Sequence, residues 1–314
     1  MPDDSDIKKV LREEEEWWDK KIEEDKADFR LRKKKLNSFW IWDDPKLDDV
    51  IRGEYRRRLM YPSKARDLRI FELGCGMGWL TLELARQGHN VDSCDISGKR
   101  VEFANAYYQR IKQKEKSIGN VRYFQGDLNT IDLPKNTYDF IVCWDSLHHV
   151  IAIERLIQQV FDTLKPGGKL LANDEIGNYS QIVALINLFF FGIVTLIFEP
   201  ITLAKLIFEK FIACFKSRPA KSSLSRAVDT KTQIASPLDG VTGKEMLDHI
   251  VEIFGKNNVK YETTIAFGPT WLPRIRGHQS IRLSIASLVM KIDRFLIRKG
   301  IVKGASIYIE ATKL

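Results

Sequence analysis

Cysteine is scarce in this chain and never closely spaced. Cys75, Cys94, Cys143 and Cys214 are the four in 314 residues, with no CxxC pair. Neither a zinc knuckle nor a disulfide framework is indicated, and a reducing, cytosolic compartment fits best. No repeat period is visible, and no charged, apolar and small-residue leader follows Met1, so no secretory signal is expected. Disorder, a collagen-like fibre and a multi-span membrane protein are excluded by 44% hydrophobic and 29% charged residues. What remains is a chain able to bury a core, long enough for one mid-sized core with added segments or for two small domains. Its net charge of +8 is lopsided. Residues 177–314 carry 19 Lys+Arg against 10 Asp+Glu, leaving 31 against 32 in residues 1–176. A basic back half suggests an anionic partner, either nucleic acid or a membrane surface.

Residues 1–60 are expected to form a helical cap. Trp17, Trp18, Ile22 and Phe29 interrupt runs of Glu and Lys there, as in an amphipathic helix whose aromatic stripe packs on a domain. Phe39, Trp40, Ile41 and Trp42 form an aromatic knot, read as core anchors or as the lid of an apolar site. From Leu68 the pattern becomes short apolar runs, Leu68–Leu73, His89–Asp95, Val121–Gln125, Tyr138–Trp144 and Gly168–Asp174, separated by helical stretches. That alternation predicts a parallel sheet with crossover helices over residues 61–176. Residues 177–240 interrupt it, and residues 241–314 return with a helix at Gly243–Phe254, strands at Val259–Phe267 and Ala305–Ala311, and a basic helix at Ser280–Lys299. The interruption opens with Tyr179–Phe198, 20 residues without a charge, about 30 Å as a helix and enough to match a bilayer core. A true span would strand the last two strands across the membrane from their sheet. An interfacial hairpin with the amphipathic Ile201–Phe215, or a helical pair capping the domain, is the topology that can fold.

The run Glu72-Leu73-Gly74-Cys75-Gly76-Met77-Gly78-Trp79 falls where a strand meets a helix. Glycines there permit a tight turn and let a ligand approach the backbone near a helix N-terminus. A dinucleotide fingerprint would want Gly or Ala where Trp79 stands, so a pyrophosphate is not the favoured ligand. Asp95 ends the next strand, where a carboxylate can accept both hydroxyls of a ribose; its bland role is a helix N-cap, for which Ser97 is the better candidate. Asp127 ends the third strand and can accept a proton from an adenine amino group or simply close a turn.

Taken in order, ELGCGMG, CDIS with Asp95, GDL with Asp127, DFIVCWDSLHHV over Asp139–Val150 and LKPGGKL from Leu164 resemble the motifs of class I S-adenosylmethionine-dependent methyltransferases. The resemblance spans roughly Arg69–Leu171. It implies a Rossmann-like α/β fold: a seven-stranded sheet with a terminal antiparallel hairpin, an N-terminal helical cap and a helical insertion after strand five. It implies S-adenosylmethionine bound by Glu72, Gly74, Cys75, Gly76 and Gly78 at the first turn, by Asp95 and Ile96 after the second strand, by Asp127 and Leu128 after the third, and by Trp144. The loop Trp144–Val150 resembles that of ubiquinone-biosynthesis O-methyltransferases, which place acids and a histidine where Asp145, His148 and His149 stand. In that group these positions can hold a divalent metal. Here His148 replaces an acid, and no metal is assigned.

A hydroxyl acceptor needs a base near neutral pH, so His149 or His148 is the candidate base, with Asp145 beside them. The expected activity is methyl transfer to an oxygen of a hydrophobic or lipid-linked small molecule, by a cytoplasmic protein held peripherally on the membrane face. A soluble metabolite or glycan acceptor, and a non-catalytic membrane scaffold, stay open as alternatives, as does a homodimer. With neither an NPPY motif nor an RNA-binding domain, nucleic acid is not the expected partner.

Overall fold

The computed structural model describes residues 9–20, 22, 44–62, 64–176, 181–198, 243–267, 271–272 and 275–314. Apolar runs too short for helices form its strands: β1 (Arg69–Leu73), β2 (Asn90–Asp95), β3 (Val121–Gln125), β4 (Tyr138–Trp144) and β5 (Leu164–Glu175). Neighbours among these five pair in parallel, and Ile70, Phe71, Leu73, Ile141, Val142 and Cys143 are fully buried, as expected of strands covered on both faces. β6 (Val259–Thr264) and β7 (Ser306–Thr312) complete the sheet in the order β3-β2-β1-β4-β5-β7-β6, with β7 antiparallel to both neighbours. The expected terminal pairing is present. A 20-residue helix, not a tight turn, joins its two strands.

The crossover helices are α3 (Trp79–Arg86), α4 (Gly98–Lys112) and α5 (Ile153–Thr163), with α7 (Gly243–Phe254) packed on α5. In α5, Ile153, Leu156, Ile157 and Val160 recur at i, i+3, i+4 and i+7 and are all buried against Leu164, Leu170 and Ile250. Strand order reverses between β1 and β4, and a sheet of this kind leaves a crevice at the carboxyl ends of the strands on either side of that reversal.

A second helical group lies at the β6 side. α2 (Pro45–Met60) starts from an Asp44 N-cap that accepts from the Lys46 and Leu47 amides, with Pro45 at a position that needs no donor. Its Leu47 and Ile51 pack on Ala286 and Met290 of α8 (Gln279–Arg298), and Arg282 of α8 pairs with Asp44 at 3.1 Å. α6 (Gln181–Phe198) is the charge-free segment. Val183 and Val194 are buried, and Asn187 fixes the helix through its amide, which donates to the Ala266 carbonyl at 2.7 Å and accepts from the Trp271 indole at 3.1 Å. Its 18 residues span about 27 Å, short of a hydrocarbon core of about 30 Å. Among the described residues no helix is long and apolar enough to cross a membrane. The Phe39–Trp42 knot, Ile201–Phe215 and the basic linker lie outside the described residues.

Candidate active site

The glycine turn follows β1 directly. Gly74, Gly76 and Gly78 all have positive φ, a region closed to most side chains. Two of them also lack space for a side chain. A Cβ on Gly74 would lie 2.5 Å from Cβ of Ser146, and one on Gly78 would lie 2.5 Å from Oη of Tyr123. Cys75 donates its amide to the Cys94 carbonyl, and Gly76 donates to Oδ2 of Asp95 at 2.8 Å. The other Asp95 oxygen accepts from the Ser97 amide at 3.0 Å, while the Ser97 hydroxyl caps α4 by accepting from the Arg100 amide. Asp95 is therefore held at the turn with lone pairs left on both oxygens. Glu72, beneath the turn, is pushed up to about 8 by burial, which outweighs its hydrogen bond from the Thr81 hydroxyl. Asp127 closes an Asx-type turn, accepting from the amide and side chain of Asn129; the Asn129 oxygen in turn accepts from the Ile151 and Ala152 amides. The turn after β3 and the loop after β4 are thus tied together.

That loop begins with Trp144, set edge-on to Trp79 at 5.8 Å. Asp145 follows with φ of 50°, an uncommon state for a residue with a side chain. Burial and the nearby Asp174 charge push its carboxyl up to about 7. Ser146 passes beneath the glycine turn, donating its hydroxyl to the Leu73 carbonyl at 2.8 Å. Asp174, at the end of β5 and 0% exposed, accepts from the Ser146, Leu147 and Glu175 amides and holds Nδ1 of His148 at 2.6 Å. Burial lowers the affinity of His148 for a proton, but the hydrogen bond and charge of Asp174 overcome it and push this histidine up to about 9. His148 is consequently turned away from the cleft. His149 packs against it, the rings tilted by 41° with centroids 4.0 Å apart, and does line the cleft.

The opposite wall comes from a helix over residues 9–20, α1. Its Trp18 meets His149 edge-on at 5.8 Å, and the Arg100 guanidinium lies 3.9 Å from the centre of the Trp18 ring. Asp19 accepts from the Ser97 hydroxyl at 2.6 Å and Glu15 from the Gln125 amide at 2.9 Å, so α1 is pinned over the ends of β2 and β3. The cleft between them spans about 830 Å³, counting its open mouth.

Of the residues expected from sequence, Glu72, Gly74, Cys75, Gly76, Asp95, Ile96, Asp127, Leu128, Trp144, Asp145 and His149 all line this cleft. Gly78 and His148 do not: the first gives room to Tyr123 and the second serves Asp174. Leu11, Glu14, Trp18 and Arg100 line it without having been expected there. The aromatic stripe of α1 gave a signal for Trp18. Nothing separates Glu14 from the other members of a four-glutamate run. Among the described residues no group of three or more His, Cys, Asp and Glu is placed to hold a metal ion.

A cleft at the β1/β4 reversal, floored by a glycine turn and flanked by acids after β2 and β3, is the arrangement that the resemblance to class I S-adenosylmethionine-dependent methyltransferases implies. Residues 70–168 match the family described as a methyltransferase domain. Over 101 residues the chain is 32% identical to a ubiquinone biosynthesis O-methyltransferase of Rickettsia conorii, covering 32% of each chain. It is 27% identical over 107 residues to an uncharacterized methyltransferase, YcgJ, of Bacillus subtilis, covering 34% of this chain and 40% of that one. Each match thus spans well under half of the curated relative. A solved structure from Galdieria sulphuraria, described as a candidate sarcosine dimethylglycine methyltransferase, shares the fold at 13% identity with a TM-score of 0.52, covering 92% of this chain and 97% of that one.

Proposed function

We propose that the chain transfers a methyl group from S-adenosylmethionine to an oxygen of a hydrophobic or lipid-linked small molecule at a membrane face. S-adenosylmethionine supplies a methyl group on a sulfonium sulfur, which leaves as a neutral thioether. The cleft fits that molecule by the chemistry of its walls: a turn in which Gly74 and Gly76 carry no side chain, Asp95 with spare lone pairs for ribose hydroxyls, Asp127 at the adenine side, and Ile96 and Leu128 as apolar flanks. The chain's own work is to align the acceptor and remove its proton, and His149, on the cleft wall beside Asp145, is the group assigned to the proton.

The observation that carries the membrane-side reading is the outer face of α6 and α8. Leu185, Leu188, Phe189, Leu196 and Ile197 of α6 are 60–65% exposed, and Ile281, Leu288 and Phe295 of α8 are 57–61% exposed. Exposed Lys291, Arg298 and Lys299 flank them, and the single acid between Arg276 and Gly304, Asp293, is buried under the Ala266 and Phe267 amides. An apolar face bordered by cations along α8 suits an anionic bilayer surface, each cation near it contributing about 1 kcal/mol. Flotation with vesicles tests this. Recovery with anionic but not neutral vesicles supports the reading, and a chain left unbound by both overturns it. Transfer of labelled methyl to a prenylated phenol, measured beside its unprenylated counterpart, tests the acceptor class.

A further inference from the structure

Glu14 of α1 is buried at the cleft. It lies in a run of four glutamates, yet it is 2% exposed, and carboxylates are withdrawn from water at a cost unless they are paired. Its Oε1 accepts from the Trp18 indole N–H at 2.6 Å, one turn along the helix, and lies 3.5 Å from Nδ1 of His149. The second distance is that of an ion pair, and such contacts tighten in a reacting complex. Trp18 is itself clamped between the Arg100 guanidinium and the His149 ring. The carboxylate is therefore oriented from behind and presented to one nitrogen of the imidazole.

We propose that Glu14 is the positioning residue of His149, and that the N-terminal helix thereby completes the catalytic apparatus across the cleft. This rests on the assignment of His149 as the base. A carboxylate at Nδ1 selects the tautomer with the proton on that nitrogen, which leaves the Nε2 lone pair to take the acceptor's hydroxyl proton. The imidazolium so formed gains a partner in the carboxylate, and the proton returns to water once the acceptor oxygen has been methylated. Among the described residues, His148, Arg100 and Asp127 are each engaged elsewhere. His148 packs beside His149 at a tilt and is bound to Asp174, Arg100 faces Trp18, and Asp127 is engaged by Asn129. Asp145 lines the same cleft from the His149 loop itself and is pushed up to about 7 by burial and by the Asp174 charge.

The test is the titration of isotope-labelled histidine rings by NMR in the full chain, with the His149 signals among the five histidines identified from His149→Gln. Glu14→Gln keeps the shape and removes the charge. It is expected to lower the His149 titration point by about one pH unit, a tenfold loss of proton affinity, and to even out the two tautomers in the ring-nitrogen shifts. Glu14→Asp is expected to recover part of both. S-adenosylhomocysteine affinity, measured by calorimetry, is expected to stay within about twofold, since the carboxylate is assigned to the histidine. A Glu14→Gln chain that is folded and has an unchanged His149 titration overturns the proposal, as does one that loses cofactor affinity instead. Full methyl transfer in His149→Ala would overturn the base assignment alone, because the NMR readout does not depend on it.

Discussion

The cleft and the α6–α8 face invert one another. At the cleft, polar and charged groups are buried: Glu14, Glu72, Asp95 and Asp174 are all withdrawn from water. On the helical face, leucines, isoleucines and phenylalanines point into it. A soluble domain gains stability from neither arrangement, since buried acids pay desolvation and exposed apolar side chains forgo the roughly 25 cal/mol per Å² that burial returns. Departures of opposite sign mark ligands of opposite kind. On the proposed reading, the first receives a small, charged, hydrogen-bonding molecule and the second an anionic bilayer surface.

The sharpest way to break that comparison is at His149. His149→Ala is expected to lower methyl transfer by about 10²–10⁴-fold while S-adenosylhomocysteine affinity, followed by calorimetry, stays within about twofold. Equal losses in both would move this histidine from the acceptor to the cofactor. The next effect is thermodynamic. His148 is raised to about 9 by Asp174, so its pairing stabilises the fold fully below its unfolded value near 6.5 and is lost as pH rises through 9. Asp145, raised to about 7 by burial and by Asp174, works in the same sense over a lower pH window. It favours the fold as pH falls from 7 toward its unfolded value near 4 and is silent above 7. Between pH 7 and 9 the wild type should therefore lose on the order of 2–3 kcal/mol that His148→Gln does not lose, read as the pH slope of chemical denaturation. Parallel slopes would show that the dyad contributes nothing to folding.

Smaller again is Asp95→Asn, expected to weaken cofactor binding by about 1–3 kcal/mol, with unchanged affinity removing the ribose assignment. Least disruptive to the fold is the double change Leu188→Ser with Phe295→Ser. Both side chains are mostly exposed, so denaturation midpoints should move by no more than about 0.5 kcal/mol per site, while recovery with anionic vesicles drops. A fold that collapses under these two substitutions would mean that the face is covered by protein.

The sheet was legible because each strand carries its own evidence. Val121–Gln125 and Tyr138–Trp144 are bounded as the apolar pattern predicts, and α7 begins and ends where expected. The cofactor turn was legible because glycine at positions 74, 76 and 78 reports a backbone demand directly. Roles that depend on two distant segments were not. That Gly78 yields to Tyr123, 45 positions away, and that His148 serves Asp174 rather than the cleft, follow from packing no local pattern encodes. Nor does any period in α1 distinguish Glu14, whose burial is decided by a histidine 135 residues later. The closing strands were recognised, but strand five starts earlier than its glycines suggest, at Leu164, because Tyr138 already pairs with that residue ahead of the bulge.

The position of β7 has a consequence for biosynthesis. It lies between β5 and β6, so the strand made last of the seven is an interior one. Until residues 306–312 leave the ribosome, both β5 and β6 present unpaired edges, and β6 has no sheet to join. During that interval α6 has been made but α8, which covers its inner side, has only just emerged. A nascent chain in this state exposes both of α6's faces and two sheet edges, a combination prone to aggregation. Early capture by a bilayer or a chaperone would then be part of how the protein is made, and slowing translation before β7 should lower its yield more than slowing it anywhere upstream.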